Sequence, residues 1–233
     1  MPDTSSENLR DCAIITLISV FGISYFFLFA VQYLIFHFPP TPADIVGTLS
    51  VIFFAFGVIG WYILCLSYRV IASFHEDQAA CWQRLEFGGV LLLIWTTTLP
   101  TVVLLFPTQP LLQLGYLATF SLVFVGSLVD LFMYDPSIAM IRVRFPYYCA
   151  SLGILALVPM IHSFTESPHA APELAIAFGR MAMMNTMGAV FYLLRPLERT
   201  GLVPGWQPSL YMMHFVLAYS AFQYSQAILQ NLI

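Results

Sequence analysis

The chain has 233 residues, of which 60% are hydrophobic and 9% charged, with a net charge of −4. That balance is too apolar for a water-facing globular surface and leaves an integral membrane protein. The eight basic residues are all arginines; they serve topology, and nucleic acid is not an expected partner.

A bilayer core takes roughly 20 apolar residues per helix. Seven stretches of that kind follow one another, at 12–36, 45–68, 86–106, 111–133, 146–163, 173–194 and 209–230. Hydrocarbon obliges each backbone to satisfy its own hydrogen bonds, and the alternation of a β-barrel is absent, so these stretches read as helices. The fold class is therefore all-α integral membrane, one seven-transmembrane helix bundle over 1–233 with a short tail at 1–11. The first segment lacks a small-residue cleavage site after it and is expected to stay as a helix. Phe-Pro-Pro-Thr-Pro at 38–42, Phe-Pro-Thr-Gln-Pro at 106–110, the prolines of 167–172 and Pro204-Gly205 mark the breaks.

Arg10, Arg69, Arg84, Arg142, Arg144, Arg195 and Arg199 fall in the N-terminal tail or the even-numbered connections; Arg180 alone lies toward the opposite face. Seven against one predicts a cytoplasmic N-terminus and a non-cytoplasmic C-terminus. Cys12, Cys81 and Cys149 lie near the predicted cytoplasmic ends and Cys65 inside the second helix, so four free thiols are expected.

Ionisable groups in hydrocarbon cost at least ~2.5–3.5 kcal/mol on insertion scales, so each is a candidate for function. His75, in Ser-Phe-His-Glu-Asp-Gln, reads as an exposed loop histidine. Glu86 opens the third segment, where a helix N-terminus also suits a carboxylate. Asp130 and Asp135 bracket the end of the fourth, Asp130 one turn deeper. In the sixth segment Arg180 reads as snorkelling or paired with Glu173 or Glu166, and Asn185 as a polar group in a methionine-rich cavity or as interhelical glue. In the seventh, Tyr211 stands three residues before a lone His214, on nearly the same face.

The run NTMGAVFYLLRPLERTGLVPGWQPSLYMMHFVLAYSAF (185–222) resembles the signature of the progestin and adipoQ receptor family, which includes the hemolysin III-like proteins. Gly188, Ala189, Tyr192, Arg195, Glu198, Arg199, Pro204, Gly205 and His214 carry the likeness, with Pro196 shifted by one place. Leu-Val-Pro-Met-Ile-His at 157–162, Tyr134-Asp135 and Leu85-Glu86-Phe87 extend it across 67–230. The resemblance implies seven helices and a zinc ion held by one histidine of the second helix and two of the seventh. Those positions do not carry over. Ser67 matches the serine of the second-helix motif, but its histidine falls on Ile71, and the first histidine of the seventh helix falls on Leu210.

Without that ligand set no metal and no cofactor are expected. Some fungal meroterpenoid-pathway cyclases look like members of this family, and the resulting expectation is a metal-independent terpene cyclase of the endoplasmic reticulum. It would act on a prenylated or prenyl-epoxide substrate, with membrane lipids as its other partners. Asp130 or Glu86 would be the acid and His214 the orienting or proton-accepting group. Tyr211, Tyr192, Asn185, Phe215 and Ser67 would shape the pocket. Two other readings are a lipid or steroid receptor without enzymatic activity, and a zinc-dependent lipid amidohydrolase.

Overall fold

The computed structural model describes residues 4–37, 45–75, 78–133, 138–166, 172–201 and 206–230. They form α1 (Thr4–His37), α2 (Ile45–Phe74), α3 (Ala79–Leu105), α4 (Pro110–Met133), α5 (Ile138–Glu166), α6 (Pro172–Leu194), a short α7 (Pro196–Arg199) and α8 (Pro208–Gln230). No strand occurs among the described residues. The helices α1 to α6 are long and apolar enough to cross a membrane. At 23 residues α8 is long enough too, about 34 Å. Its serines and glutamines hold its hydropathy below that of the others. It packs along α6 and reaches α1, closing the bundle.

The helices overrun the apolar stretches. Glu86 sits two turns inside α3, not at its start, because Ala79–Leu85 continue the helix through good helix formers such as Ala, Gln and Leu. In the same way α5 begins at Ile138 instead of 146, with Pro146 and Pro159 inside it. Apolarity marks only the part of a helix in hydrocarbon; the backbone ladder runs on where water or head groups can solvate polar side chains. Of the proline-rich breaks, 106–110 forms the turn between α3 and α4. The segments 38–42, 167–171 and Pro204-Gly205 lie outside the described residues, as do Tyr134 and Asp135.

At the centre of the bundle α3 packs against α2, α4, α5 and α6. It carries a run of buried threonines, which would be costly in hydrocarbon if unpaired. Their hydroxyls instead donate to their own helix: Thr96 to the Leu92 carbonyl (2.9 Å), Thr97 and Thr98 to that of Ile94 (both 2.9 Å) and Thr101 to that of Thr97 (3.3 Å). What faces outward is then short and largely apolar. Beside it an aromatic core joins α1, α2, α6 and α8: Phe54 meets Phe26 (5.7 Å) and Tyr224 (5.4 Å) edge-on, and Phe178 meets Tyr224 at 5.8 Å. The Tyr224 hydroxyl is satisfied by Thr101 at 2.6 Å.

The arginines gather at one end. Arg69 at the end of α2 pairs with Glu86 of α3 (3.8 Å), and Arg144 of α5 pairs with Asp130 at the end of α4 (3.7 Å). Arg10 of α1 lies over the Trp206 ring before α8, 4.1 Å from its centroid. A left-handed Arg195 (φ 46°) breaks α6 from α7, with Pro196 at the first helical position. Glu198 then accepts from the Ser209 backbone N–H (3.0 Å), placing a carboxylate at the N-terminus of α8. The side chain of Arg142 lies outside the described residues.

Glycine sets how closely α2 and α3 approach. A Cβ at Gly57 would stand 1.9 Å from Thr96 Oγ1, and one at Gly89 3.0 Å from Leu64 Cδ1. Overpacking a tight core costs about 1–3 kcal/mol. Gly57→Val is expected to lower the thermal midpoint of the detergent-solubilised protein by several degrees. Gly115→Ala, where a Cβ meets nothing within 4 Å, is expected to leave it unchanged.

Candidate functional site

One turn apart on α2, Trp61, Cys65 and Arg69 form a ridge facing α3 and α8. Glu86 and Gly89 share the opposing face of α3, and Gly89 lets the two backbones close up. The Cys65 thiol donates to Glu86 Oε1 at 3.6 Å. The same oxygen lies 3.8 Å from the Arg69 guanidinium. From α8, His214 enters with 1% of its surface exposed, its ring stacked near the Trp61 indole (centroids 6.0 Å, interplanar angle 18°).

The tautomer of His214 follows from its partner. Its Nδ1 lies 2.9 Å from the Leu210 carbonyl oxygen. A carbonyl can only accept, so Nδ1 carries the proton and Nε2 of the neutral ring is a bare acceptor. That Nε2 is buried and has no hydrogen-bond partner. Ser19 Oγ on α1 and Trp61 Nε1 and the Tyr62 hydroxyl on α2 are buried without partners as well. Left unpaired, each such group would cost about 1–3 kcal/mol.

The resemblance implies zinc in this region. Cys65 Sγ, a Glu86 carboxylate oxygen and a His214 ring nitrogen all lie within 4.8 Å of one another. Three donors of N, O and S type match the number in an open catalytic zinc site, and the bare Nε2 is a competent ligand atom. The set therefore fits a metal in donor type and number, more fully than His214 alone had implied. Opposing it is Arg69, a fixed positive charge beside the position a dication would take.

Asp130 is placed elsewhere. It is an acceptor for the Tyr148 hydroxyl and pairs with Arg144 of α5, with 32% of its side chain exposed. Both it and Glu86 have an arginine partner, but Asp130 is partly solvated and outside the His214 group, whereas Glu86 is buried within it. Tyr211 does not join His214 either; its hydroxyl donates to the buried Asp11 of α1. Phe215 is 61% exposed and stacks on Tyr219 (6.2 Å), because one residue beyond His214 is about 100° round the helix. It lines no interior pocket. Ser67 lies two residues, about 200°, from Cys65 and is half-buried. Tyr192 is half-buried under the Arg195 guanidinium (5.6 Å).

Asn185 accepts from Ser220 of α8, the interhelical role. His162, at the far end, is bound at Nδ1 by the Tyr116 hydroxyl (2.6 Å) and joins α4 to α5. His75 is exposed just past α2, and all four cysteines are free thiols.

Cys65 and Arg69 are the site residues that sequence reasoning passed over. The four-residue ridge from Trp61 was the signal for both, but only with the neighbouring helix in place does it point at Glu86.

A family model described as "Haemolysin-III related" matches residues 14–224. No curated protein matches the chain.

Proposed function

Starting from the fact that this chain belongs to the haemolysin III-related family of multi-pass membrane proteins, we propose that it is a metal-independent terpene cyclase. It closes rings on a prenylated or prenyl-epoxide lipophilic precursor of the meroterpenoid kind, in the endoplasmic reticulum membrane, with its arginine-rich end in the cytoplasm. The reading rests on the Cys65–Glu86–His214 group: a carboxyl and a bare imidazole nitrogen held close together in an apolar, aromatic interior.

The chemistry needs an acid at the start and a base at the end. The Glu86 carboxyl hands its proton to the epoxide oxygen, or to the terminal alkene carbon, and the carbon left electron-poor is attacked by the next double bond. The carboxylate formed at Glu86 is stabilised by the Cys65 S–H and the Arg69 charge. The face of Trp61, beside His214, offers electron density to a passing carbocation. His214 Nε2 takes the proton lost when the final alkene forms and returns it to Glu86 across the same cluster. The net change is an isomerisation without cofactor.

The donor set favours one other reading, a metal-dependent lipid hydrolase. Cys65, Glu86 and His214 would hold a zinc ion, which supplies an activated water and a Lewis acid when bound.

Three measurements decide among these. In microsomes given a prenyl-epoxide substrate, Glu86→Gln and His214→Ala are expected to lower cyclisation by about 100-fold or more, the usual worth of general acid–base groups. Asp130→Asn is expected to stay within a few-fold of the parent; full activity in Glu86→Gln would sink the assignment. Elemental analysis of the purified protein is expected to find no stoichiometric zinc, and one ion per chain that is lost in both Cys65→Ser and His214→Ala would instead establish a metal site and overturn the metal-independent reading. For orientation, the exposed Cys81 is expected to react with a membrane-impermeant maleimide on intact, sealed microsomes.

A further inference from the structure

Two features have no part in the chemistry above: Arg180, the arginine set apart from the basic end, and the glutamines of α8. In three dimensions they meet. A cavity of about 310 Å³ opens between α6 and α8, lined by Arg180 from the first and by Ser220, Phe222, Gln223, Gln226 and Gln230 from the second. The α8 positions recur mainly at steps of three and four residues, so the polar ones form one stripe along the helix.

Placing such groups along a helix of this bundle is costly unless they bind something. Arg180 makes no ion pair or hydrogen bond among the described residues, and Glu173, one of the acids expected to hold it, does not reach it. The side chain of Glu166, the other, lies outside those residues. Gln226 is anchored by donating to the Tyr25 hydroxyl (2.7 Å), and Gln223 by donating to that of Tyr219 (2.6 Å). Each carboxamide keeps a second N–H, and a guanidinium offers donors only. The cavity thus sets one positive charge and the remaining N–H donors of the glutamines beside an apolar lining of Ala177, Met181 and Phe222.

We infer that it binds the phosphate or carboxylate group of an anionic amphiphile. The volume suits a head group and not a whole lipid, and Arg180, Phe222 and Gln223 are exposed, so acyl chains would run outward along the helices. From His214 to Gln226 is 12 residues of helix, about 18 Å, which separates this site from the Glu86 group. It does not depend on the cyclase reading.

The test uses the whole protein purified in neutral detergent. Four probes are compared by native mass spectrometry and thermal shift: dioleoyl phosphatidic acid, oleic acid, phosphatidylcholine and inorganic phosphate. Phosphatidic acid is expected to remain bound and to raise the thermal midpoint, while phosphatidylcholine does neither. Arg180→Gln is expected to weaken phosphatidic acid binding by on the order of tenfold, the loss of one charge-assisted contact, with Arg180→Lys recovering part of it.

Gln226→Leu, acting from the other helix, is expected to weaken it as well and serves if Arg180→Gln does not fold. A shift produced by inorganic phosphate and abolished in Arg180→Gln would support the anion site with a soluble occupant. A shift seen only with the lipids and abolished in Arg180→Gln would support it with a membrane one. Equal binding of phosphatidic acid by the parent, Arg180→Gln and Gln226→Leu, or equal binding of phosphatidylcholine, would overturn the inference.

Discussion

The close approach of α2 and α3 is the constraint on which the rest of this bundle depends. Gly57 leaves no room for even a methyl group beside Thr96, and Gly89 leaves little beside Leu64. Between helices in lipid there is little hydrophobic gain from association, so backbones must come near enough for dispersion and short polar contacts to hold them. That nearness brings Cys65 and Arg69 to Glu86 across the interface. It also lets α3 sit among four neighbours with its threonine hydroxyls turned back on its own carbonyls.

The two ends of the molecule use polarity differently. At the arginine-rich end, charged groups are matched: Glu86 with Arg69, Asp130 with Arg144, Glu198 with the first turn of α8. These contacts tie successive helices at their ends, beside the buried Nε2 of His214 and Nε1 of Trp61, neither of which has a protein partner among the described residues. At the other end Arg180 and the glutamines of α8 face a cavity instead of one another. One end thus holds its charges in pairs across neighbouring helices, while at the other the glutamines bond to tyrosines and Arg180 faces the cavity.

How much was legible depended on how local the cause was. Each long helix was visible as an apolar run, since twenty apolar residues in hydrocarbon have no other way to satisfy their backbones. Helix ends were not, because Ala79–Leu85 and Ile138–Phe145 are helical without being uniformly apolar. Glu86 and His214 stood out as ionisable groups within apolar segments, and the structure does bring them together. Asp130 stood out for the same reason and turned out to be a paired helix-end residue, since depth along a segment does not tell which way a side chain faces. Tyr211 was placed beside His214 by spacing on α8, yet it is Asp11 of α1, nearly the whole chain away, that takes its hydroxyl.

The sequence by itself determined the class, the number of long helices, the gathering of arginines at one end and the family, because each of these is written in local composition or in one contiguous motif. Tertiary structure alone decided which donors converge. Cys65, Glu86 and His214 come from three helices, and their meeting depends on helix rotation and on the close approach of α2 and α3, neither of which any single segment encodes. It also decided that Leu210, standing where a metal-binding histidine was expected, contributes through its carbonyl. That oxygen holds the proton on Nδ1 of His214 and leaves Nε2 free to act.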